Sequence, residues 1–559
     1  SPKSIAVSAG AAGNPASYTT SNFSNLLLTS DFIASVNKKI SNSFNLKLTA
    51  GATYIDNKLS GIYINAPALI VPVFNINNIS GTPNLGGTGS NYNKEANKLG
   101  FFGEAAIGYK NFATLHGSYR TDIDSRLSDK NKYIPYYDID GALVVSDLIP
   151  SLADGKNNTI SFIKIRAAHS VTGNISALGN GSSYIADGAY VINKTYNVGG
   201  GFPFGSLGGY NLSPLVANPD LKPETVTENE VGLEMALFNN RITAGVSAYK
   251  SKLTDGIVTA NTATSSGAVA ALLNAANVEN TGFEIELKNT IVQTKNFTWG
   301  VNANYTYNQN KVVKINGDAT TLGIGGSNGN AFAVVGSAFP VIETRDWVRD
   351  AQGRVIVDAV TGNPSRDPNL KLFGQATPKY VLGITSAFTY KAFSLNITID
   401  YRGGHNIFNS IGQQSDFTGI SATSASTNRQ RFVFPNSVTV DGNKTSTPNT
   451  NITTDDGNFN FWPGLYRSVG SNYITSAAAW KLREVAISYL IPSRFLGNGK
   501  IIKSGSFVVS GRNLIMLRPK SNLWTDPEFS EDTGNGAGRT SENQAPPTRI
   551  ISATLSLTF

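Results

Sequence analysis

The stretch FSLNITIDYR, residues 393–402, alternates without interruption between apolar and polar side chains. Its apolar members are Phe393, Leu395, Ile397, Ile399 and Tyr401, and its polar members are Ser394, Asn396, Thr398, Asp400 and Arg402. Successive side chains of a β-strand point to opposite faces of the sheet. The stretch therefore predicts a strand with one apolar face and one polar face.

Three further segments repeat this pattern, and their length decides between two kinds of β-protein. They are FNLKLTAGATY at 44–54, FTWGVNANYTY at 297–307 and IISATLSLTF at 550–559. Strands of soluble sandwiches usually have about 5 to 6 residues, whereas a strand that crosses a bilayer needs about 9 to 11. Segments of 10 or 11 residues favour a membrane-spanning sheet whose apolar face is covered by lipid.

Aromatic residues lie at both ends of these segments. Phenylalanine marks one end, at Phe44, Phe297, Phe393 and Phe559, and tyrosine marks the other, at Tyr54, Tyr307 and Tyr401. Transmembrane barrels carry a girdle of aromatic side chains at each membrane interface. The positions predict two such girdles, one on each side of the apolar band.

Fifteen segments of the chain are predicted as strands. They are residues 26–38, 43–56, 97–110, 112–125, 136–148, 160–173, 225–238, 241–256, 278–292, 297–311, 378–390, 393–407, 477–491, 505–517 and 548–559. Because a complete barrel needs an even number of strands, either SIAVSA (4–9) adds a sixteenth, or the chain is the later part of a larger barrel.

The predicted strands are joined by alternately short and long connections. The long ones are 57–96, 174–224, 312–377, 408–476 and 518–547, and they are rich in Gly, Asn, Ser and Pro. Bacterial outer-membrane barrels have short periplasmic turns and long extracellular loops. The sequence thus predicts an all-β fold, an antiparallel transmembrane β-barrel that occupies residues 1–559, with its long loops outside the cell.

Composition excludes several other classes of protein. The chain of 559 residues has no cysteine, and its longest apolar run, PALIVPVF at 67–74, is far too short for a membrane helix. No thiolate site or disulfide can form. The formal charge is +8, but Lys and Arg are scattered rather than clustered, which argues against a nucleic-acid partner. The first residues have no signal-peptide pattern.

The motifs from about residue 100 onward resemble the SusC/RagA family of TonB-dependent outer-membrane transporters. The clearest is NPDLKPE, formed by Asn218, Pro219, Asp220, Leu221, Lys222, Pro223 and Glu224. It is followed in the family's order by VENTGFEIEL (278–287), YRGGHNIFN (401–409), WKLREVAISYLIP (480–492), VSGRNLIML (509–517) and DPEFS (526–530). The resemblance covers most of the chain from that point.

The resemblance implies a function and a set of partners. It implies part of a 22-stranded barrel, closed by an N-terminal plug domain and capped by a SusD-like lipoprotein. The cargo would be oligosaccharides or peptides, imported with energy delivered through TonB, and two transporter–lipoprotein pairs can form a dimer. The present sequence contains no recognisable plug domain and no TonB box. A passive 16-stranded porin is the alternative, and an outer-membrane hydrolase is the third hypothesis.

The loop TTDDGNFNFWPGLYRS, residues 453–468, is the predicted substrate-binding site. It combines aromatic and charged side chains, namely Asp455, Asp456, Phe459, Phe461, Trp462, Tyr466 and Arg467. Exposed aromatics beside polar groups suit the apolar faces and hydroxyls of a sugar. The alternative is that these aromatics pack the loop against the barrel rim or the lipoprotein. The adjacent Asp455 and Asp456 could also ligate calcium, although the spacing is not that of an EF-hand.

A second set of charged residues is predicted to face the barrel interior. It comprises Lys164, Arg166, Glu284, Glu286, Asp400, Arg402 and Arg483. Buried charges need partners, and the missing plug and lumen water are the expected ones. We interpret this set as groups that dock the plug and solvate the wall rather than as substrate ligands.

No catalytic residue, metal site or cofactor is predicted. His116, His169 and His405 lie far apart without metal-binding spacing. The tripeptide Asp-Thr-Gly in DTGNG (532–536) occurs once, whereas aspartic-protease chemistry needs a pair of carboxylates. The glycines of GGGFPFGSLGGY (199–210) lack the context of a phosphate-binding loop.

Overall fold

The computed structural model divides the chain into two compact units. It describes residues 4–6, 18–66, 91–153, 159–179, 185–198, 210–213, 215–261, 265, 270–315, 317, 319–325, 331–442, 445–497, 501–530, 536–541 and 547–559. Unit 1 comprises Ser1–Leu143, Arg166–Asn229 and Ser251–Asn277, and unit 2 comprises Val144–Ile165, Glu230–Lys250 and Val278–Phe559. The segment PALIVPVF and nearly all of DTGNG and of GGGFPFGSLGGY lie outside the described residues.

The first part of the chain is an antiparallel meander. Its strands are β1 Ser4–Ala6, β2 Tyr18–Lys39, β3 Phe44–Ala66, β4 Asn91–Tyr109, β5 Ala113–Asp124 and β6 Tyr133–Val144. Each pairs with the next in chain order. β2 and β3 form one long hairpin, in register from Tyr18 opposite Ala66 to Lys39 opposite Asn45.

The middle of the chain contributes long strands that have residues in both units. After the short helix α1 Pro150–Ala153, the strands are β7 Ile160–Asn174, β8 Tyr196–Val198, β9 Tyr210–Leu212, β10 Leu215–Val216, β11 Glu224–Leu237, β12 Ile242–Asn261 and β13 Ala270–Gln293. β7 pairs with β11, and the short β10 runs parallel to β13.

Unit 2 contains the remaining strands. They are β14 Phe297–Ile315, β15 Thr321–Gly325, β16 Ala331–Val334, β17 Val341–Trp347, β18 Val355–Ile356, β19 Arg366–Gln375, β20 Tyr380–Tyr390, β21 Phe393–Gly403, β22 Asn406–Phe408, β23 Ser437–Val440, β24 Ser446–Pro448, β25 Ile474–Ser476, β26 Ala479–Ile491, β27 Ser504–Leu517 and β28 Ile550–Thr558. The six long strands β14, β20, β21, β26, β27 and β28 pair antiparallel in that order.

The long strands of unit 2 expose apolar side chains on one face. Ile487, Val509 and Leu555 are 53%, 41% and 59% exposed. Soluble monomers rarely expose large contiguous apolar patches, so exposed apolar side chains along a whole strand face indicate contact with lipid or protein. The aromatic residues pair across neighbouring strands at both ends, as with Phe393 and Tyr489 at 4.5 Å and Tyr401 and Trp480 at 4.9 Å between ring centroids.

All fifteen predicted strands are present, and several of them are longer than predicted; β13, for example, begins at Ala270 instead of residue 278. β2 begins at Tyr18 instead of residue 26, and β3 continues to Ala66 instead of residue 56. The proposed sixteenth strand is described only over Ser4–Ala6. The extension of β3, NKLSGIYINA at 57–66, carries apolar residues at both odd and even positions, so the strict alternation that marks a lipid-covered strand is absent there.

The two longest predicted connections of unit 2 contain regular structure that the sequence pattern did not indicate. Residues 312–377 contain β15–β19, and residues 408–476 contain α2 Ser410–Thr418, α3 Ala422–Ala425 and β23–β25. All but one of these strands have 2 to 7 residues, which is below the length that identifies a membrane strand. The exception, β19, carries Pro368, which is a signal against a strand.

These folded connections have a hydrophobic core of their own, which we call the loop core. It is formed by Trp347, Val355, Val357, Phe434, Phe461, Trp462 and Val469, all at most 8% exposed. The rings pack edge to face and stacked, for example Phe432 on Trp462 at 5.7 Å. A packed aromatic core gives the long connections a fixed structure.

Replacing Ile487 by arginine should destabilise the sheet. Ile487 lies on the apolar face of β26, opposite Leu395 and Val509, and an arginine near the bilayer midplane costs about 2 to 4 kcal/mol. The matched control is Ser488→Arg on the polar face, which we expect to be tolerated. Denaturant unfolding in lipid vesicles, followed by tryptophan fluorescence, measures both; equal losses would contradict a lipid-covered apolar face.

Candidate functional site

Six charged side chains of unit 2 form a compact group that we call the ionic cluster. They come from β21, from β26 and from the segment after β27, and they are Asp400, Arg402, Lys481, Arg483, Asp526 and Glu528. Three are cations and three are anions, so the cluster is neutral as a whole. It lies on the polar face of the sheet.

A β-bulge brings the cations of β26 together. Thr398 pairs with Glu484 and Ile399 pairs with Leu482, so that Arg483 is an extra residue in its strand. A bulge changes the direction in which a side chain points. Arg483 can therefore join Lys481 on the polar face, where Lys481 stands opposite Asp400.

Glu528 is the centre of the cluster. Arg402 donates to its Oε1 from 2.9 Å, Lys481 donates to its Oε2 from 2.5 Å, and Arg483 also bonds to Oε1. Arg483 is bidentate to Asp400, with N–O distances of 2.6 and 2.8 Å. Lys481 is only 5% exposed, and its second partner is Asp526 at 2.5 Å. Charge-assisted, bidentate bonds of this kind compensate the cost of burial.

The ionic cluster fastens the segment after β27 to the wall of the sheet. Asp400, Arg402 and Arg483 were predicted to face inward, and they do meet. Their expected partners were the plug and water, but the structure supplies Asp526 and Glu528 of the same chain. Both belong to the DPEFS motif, whose acidic residues were the missed signal.

Burial alone would raise the pKa of the Glu528 carboxyl. The hydrogen bonds from Arg483 and Lys481 and the nearby positive charges outweigh burial and lower this pKa to about 2. The ordinary value for glutamate is about 4.3. The carboxylate is therefore charged over the whole range in which an outer-membrane protein works.

Acid should release the segment that carries Glu528. Because the folded-state pKa is lowered, the stabilisation is complete above about pH 4.3 and is lost as the pH falls towards 2. Hydrogen exchange of residues 522–530, corrected for intrinsic rates, should show constant protection from pH 7 to 5 and a decline below pH 4. Glu528→Gln should reduce protection at pH 7 and weaken the decline; an unchanged profile would refute the role of Glu528.

The other four predicted inward-facing residues do not join this cluster. Lys164 donates to Glu234 at 3.2 Å, and Arg166 lies on β7 in unit 1. Glu284 and Glu286 are exposed on β13, where Glu286 lies 3.9 Å from Lys288. These positions are those of surface and wall charges, and their role towards a plug stays a prediction.

The predicted substrate loop, residues 453–468, is divided between the loop core and the surface. Phe461 and Trp462 are 1% and 5% exposed and belong to the loop core, and Tyr466 packs against it. Phe459 is 75% exposed. Arg467 lies over the ring of Phe417 at 4.3 Å. The buried rings therefore pack within the connections themselves rather than against the barrel rim or a partner. Phe459 is exposed and accessible to a ligand.

The two acidic residues of this loop already accept hydrogen bonds from the chain. Asp455 accepts from the Asn363 side chain at 2.6 Å. Asp456 accepts from the backbone of Asn458 at 2.6 Å and of Asn460 at 2.8 Å. These bonds shape the turn before the loop core, and calcium binding here stays a prediction.

Replacement by alanine should lower the stability of the protein at Phe461 but not at Phe459. Phe461→Ala removes a fully buried ring from the loop core, which typically costs about 3 to 5 kcal/mol. Phe459→Ala should leave stability within about 0.5 kcal/mol, as expected for a surface substitution. Thermal unfolding and protease resistance of the folded connections measure the difference. Similar behaviour of the two variants would disprove this division of the loop.

The NPDLKPE motif has a structural role in unit 1. Leu221 is 1% exposed in a core with Ile134 and Ile257. The Asn218 side chain donates to the backbone oxygen of Leu272 at 3.0 Å, and Glu224 accepts from the backbone of Ile257 at 3.2 Å. The motif thus ties a connection to the ends of β12 and β13.

His116 has neighbours that its sequence position did not reveal. Its Nδ1 lies 2.7 Å from Asp140 and 3.3 Å from Asp138, on the neighbouring strand. The three groups offer ligand atoms within 4.8 Å of one another and could hold a divalent cation. Strand pairing alone brings these three side chains together, so a search for linear motifs cannot find the group.

The other two histidines lie in separate surroundings. His169 contacts Asn229 at 2.9 Å. Burial, aided by the charge of Arg402, lowers the pKa of His405 to about 4, so its imidazole is neutral at pH 7. Among the described residues, no helix has the length and the apolar composition needed to cross a membrane.

Comparison with known proteins agrees with this geometry. The family model for the TonB dependent receptor-like β-barrel matches residues 5–335. The chain is 24% identical over 96% of its length to the TonB-dependent receptor P3 of Formosa agariphila, covering 52% of that protein. It is 27% identical over 43% of its length to the TonB-dependent receptor SusC of Bacteroides thetaiotaomicron, covering 25% of it.

A solved structure has the same fold. The RagAB peptide transporter matches with a TM-score of 0.72 and 18% identity, over 97% of this chain and 56% of that one. The chain therefore spans about half the length of the curated relatives that it matches over most of its length. The resemblance seen in the motifs is confirmed: the chain belongs to the TonB-dependent receptor family, forms part of its β-barrel and lies in the outer membrane.

Proposed function

We propose that the protein imports oligosaccharides or peptides across the outer membrane, together with a SusD-like lipoprotein and with energy delivered through TonB. The substrate would enter from the side of the folded connections, where the loop core and the ionic cluster lie. A passive porin remains the competing function, since it would use the same wall.

The observation that supports the proposal is the difference between the two ends of the strands in unit 2. One end has tight turns, such as the connection from Tyr390 to Phe393. The other end carries the long connections, which fold into strands, helices and the loop core. A diffusion pore needs an open mouth, whereas a selective importer needs fixed structure that can recognise its cargo.

Exposed apolar side chains on these connections favour a protein partner. Val360, Ile420 and Phe459 are 87%, 80% and 75% exposed. Large apolar side chains at a surface are typical of residues that become buried in an interface. A SusD-like lipoprotein over this end of the barrel would cover them.

Uptake by cells that carry the complete natural protein tests the import function. Labelled peptides and oligosaccharides should accumulate in the periplasm of wild-type cells, and accumulation should stop when TonB is deleted or the proton gradient is dissipated. Cells without the transporter are the control. Uptake that persists without TonB would refute active import and support the porin, as would steady ion conductance of the purified protein in planar bilayers.

A further inference from the structure

A cavity next to the ionic cluster has the properties of a ligand site. Its volume is about 580 Å³, and we call it the Trp524 pocket. Its walls come from α2, from the end of β27 and from the turn that follows it. The residues that matter for recognition are Ile411, Gln414, Ile420, Met516, Arg518 and Trp524. Binding sites for small ligands generally have volumes of about 300 to 1,000 Å³.

The aromatic wall of the pocket is held rigidly. Gly412 of α2 lies directly under the indole of Trp524, so that a Cβ at this position would collide with the ring. Asn522, which is 2% exposed, accepts from the backbone of Trp524 at 3.2 Å and donates to the Thr525 carbonyl at 3.0 Å. A site that is ordered before its ligand arrives loses less entropy on binding.

Arg518 gives the pocket a positive charge without a matching anion. Its described hydrogen bond is to the carbonyl oxygen of Thr525. The carboxylate nearest in sequence that lines the pocket, Asp526, is paired with Lys481 instead. Among the described residues, no carboxylate forms an ion pair with Arg518. A guanidinium has five N–H donors, so several remain for a ligand.

The chemistry of the lining selects among the possible cargoes. The lining combines the apolar side chains of Ile411, Ile420 and Met516 with polar groups that could bind either a sugar or a peptide. Arg518 distinguishes between the two, because a neutral sugar carries no anion to pair with its guanidinium. A ligand with an apolar side chain next to a carboxylate can pack against the apolar lining and form an ion pair with Arg518. The carboxy-terminal residue of a peptide has this combination.

We propose that the Trp524 pocket binds the carboxy-terminal end of a peptide, with an apolar side chain against Trp524 and the terminal carboxylate on Arg518. This inference rests on the proposed import function and makes peptides the cargo. Binding at the pocket and uptake through the barrel are measured separately, so that each can fail alone.

Binding to the purified full-length protein in detergent tests the proposal. The probe is an amino-terminally fluorescein-labelled heptapeptide that ends in phenylalanine, followed by fluorescence polarisation. The same peptide with a carboxy-terminal amide should bind at least about tenfold more weakly, because it lacks the charge-assisted bonds. Equal affinity of the free acid and the amide would overturn the proposal, as would the absence of binding. Displacement of the labelled peptide by maltoheptaose or octanoate more strongly than by the unlabelled peptide would overturn it too.

Three variants locate the site. Arg518→Gln should abolish the preference for the free acid, while Lys520→Gln, an exposed cation on the same segment, should preserve it. Ile420→Trp should lower the affinity of both peptides by filling the pocket, without disturbing a core, since Ile420 is 80% exposed. A preference that survives Arg518→Gln would overturn the proposal.

Uptake separates this proposal from the proposed function. If TonB-dependent uptake of the same peptide is unchanged by Arg518→Gln, the import function stands and the proposed binding in the Trp524 pocket is refuted. Binding that depends on the free acid and on Arg518, in cells that show no TonB-dependent uptake, would refute import and support the pocket.

Discussion

Backbone hydrogen bonding inside the bilayer is the constraint on which this protein depends. Lipid offers no partner to a peptide N–H or carbonyl, so each membrane strand must pair along its length with neighbouring strands. β20, β21 and β26 satisfy this demand in nearly continuous register. Once the pairs are formed, alternation places one row of side chains against lipid and the other row in the polar interior. Apolar residues such as Ile487 and Val509 are exposed on the protein because lipid, rather than protein, covers them.

The one break in this register creates the ionic cluster. The bulge at Arg483 adds a second inward-pointing cation next to Lys481, and two such cations could not remain buried without anions. Asp526 and Glu528 supply them and thereby bind the connection after β27 to the wall. The same connection carries Trp524 and Arg518, so the ionic cluster also positions the floor of the pocket. An irregular strand thus connects the transmembrane wall to the folded connections of unit 2.

The long connections of unit 2 behave like a small soluble domain. They bury aromatic rings in a common core and satisfy buried polar groups, as when Tyr473 donates to the carboxylate of Asp416 at 2.7 Å. The apolar side chains of the long strands in unit 2, such as Ile487, Val509 and Leu555, are exposed instead of packed in a core. The protein therefore combines two folding solutions, one governed by lipid and one by the hydrophobic effect in water.

The sequence by itself determined the membrane strands, their two faces and the aromatic rows, because alternation with a period of two is a local property of each strand. It also led to the family through short motifs in a fixed order. Tertiary structure alone decided that Phe461 is buried and Phe459 exposed, although they stand two residues apart in one loop. It also decided that Glu528 meets Arg483, 45 residues away, and that Asp138 and Asp140 meet His116. These contacts arise from strand pairing and from the packing of short elements, whose partners lie far apart in sequence and leave no periodic signal.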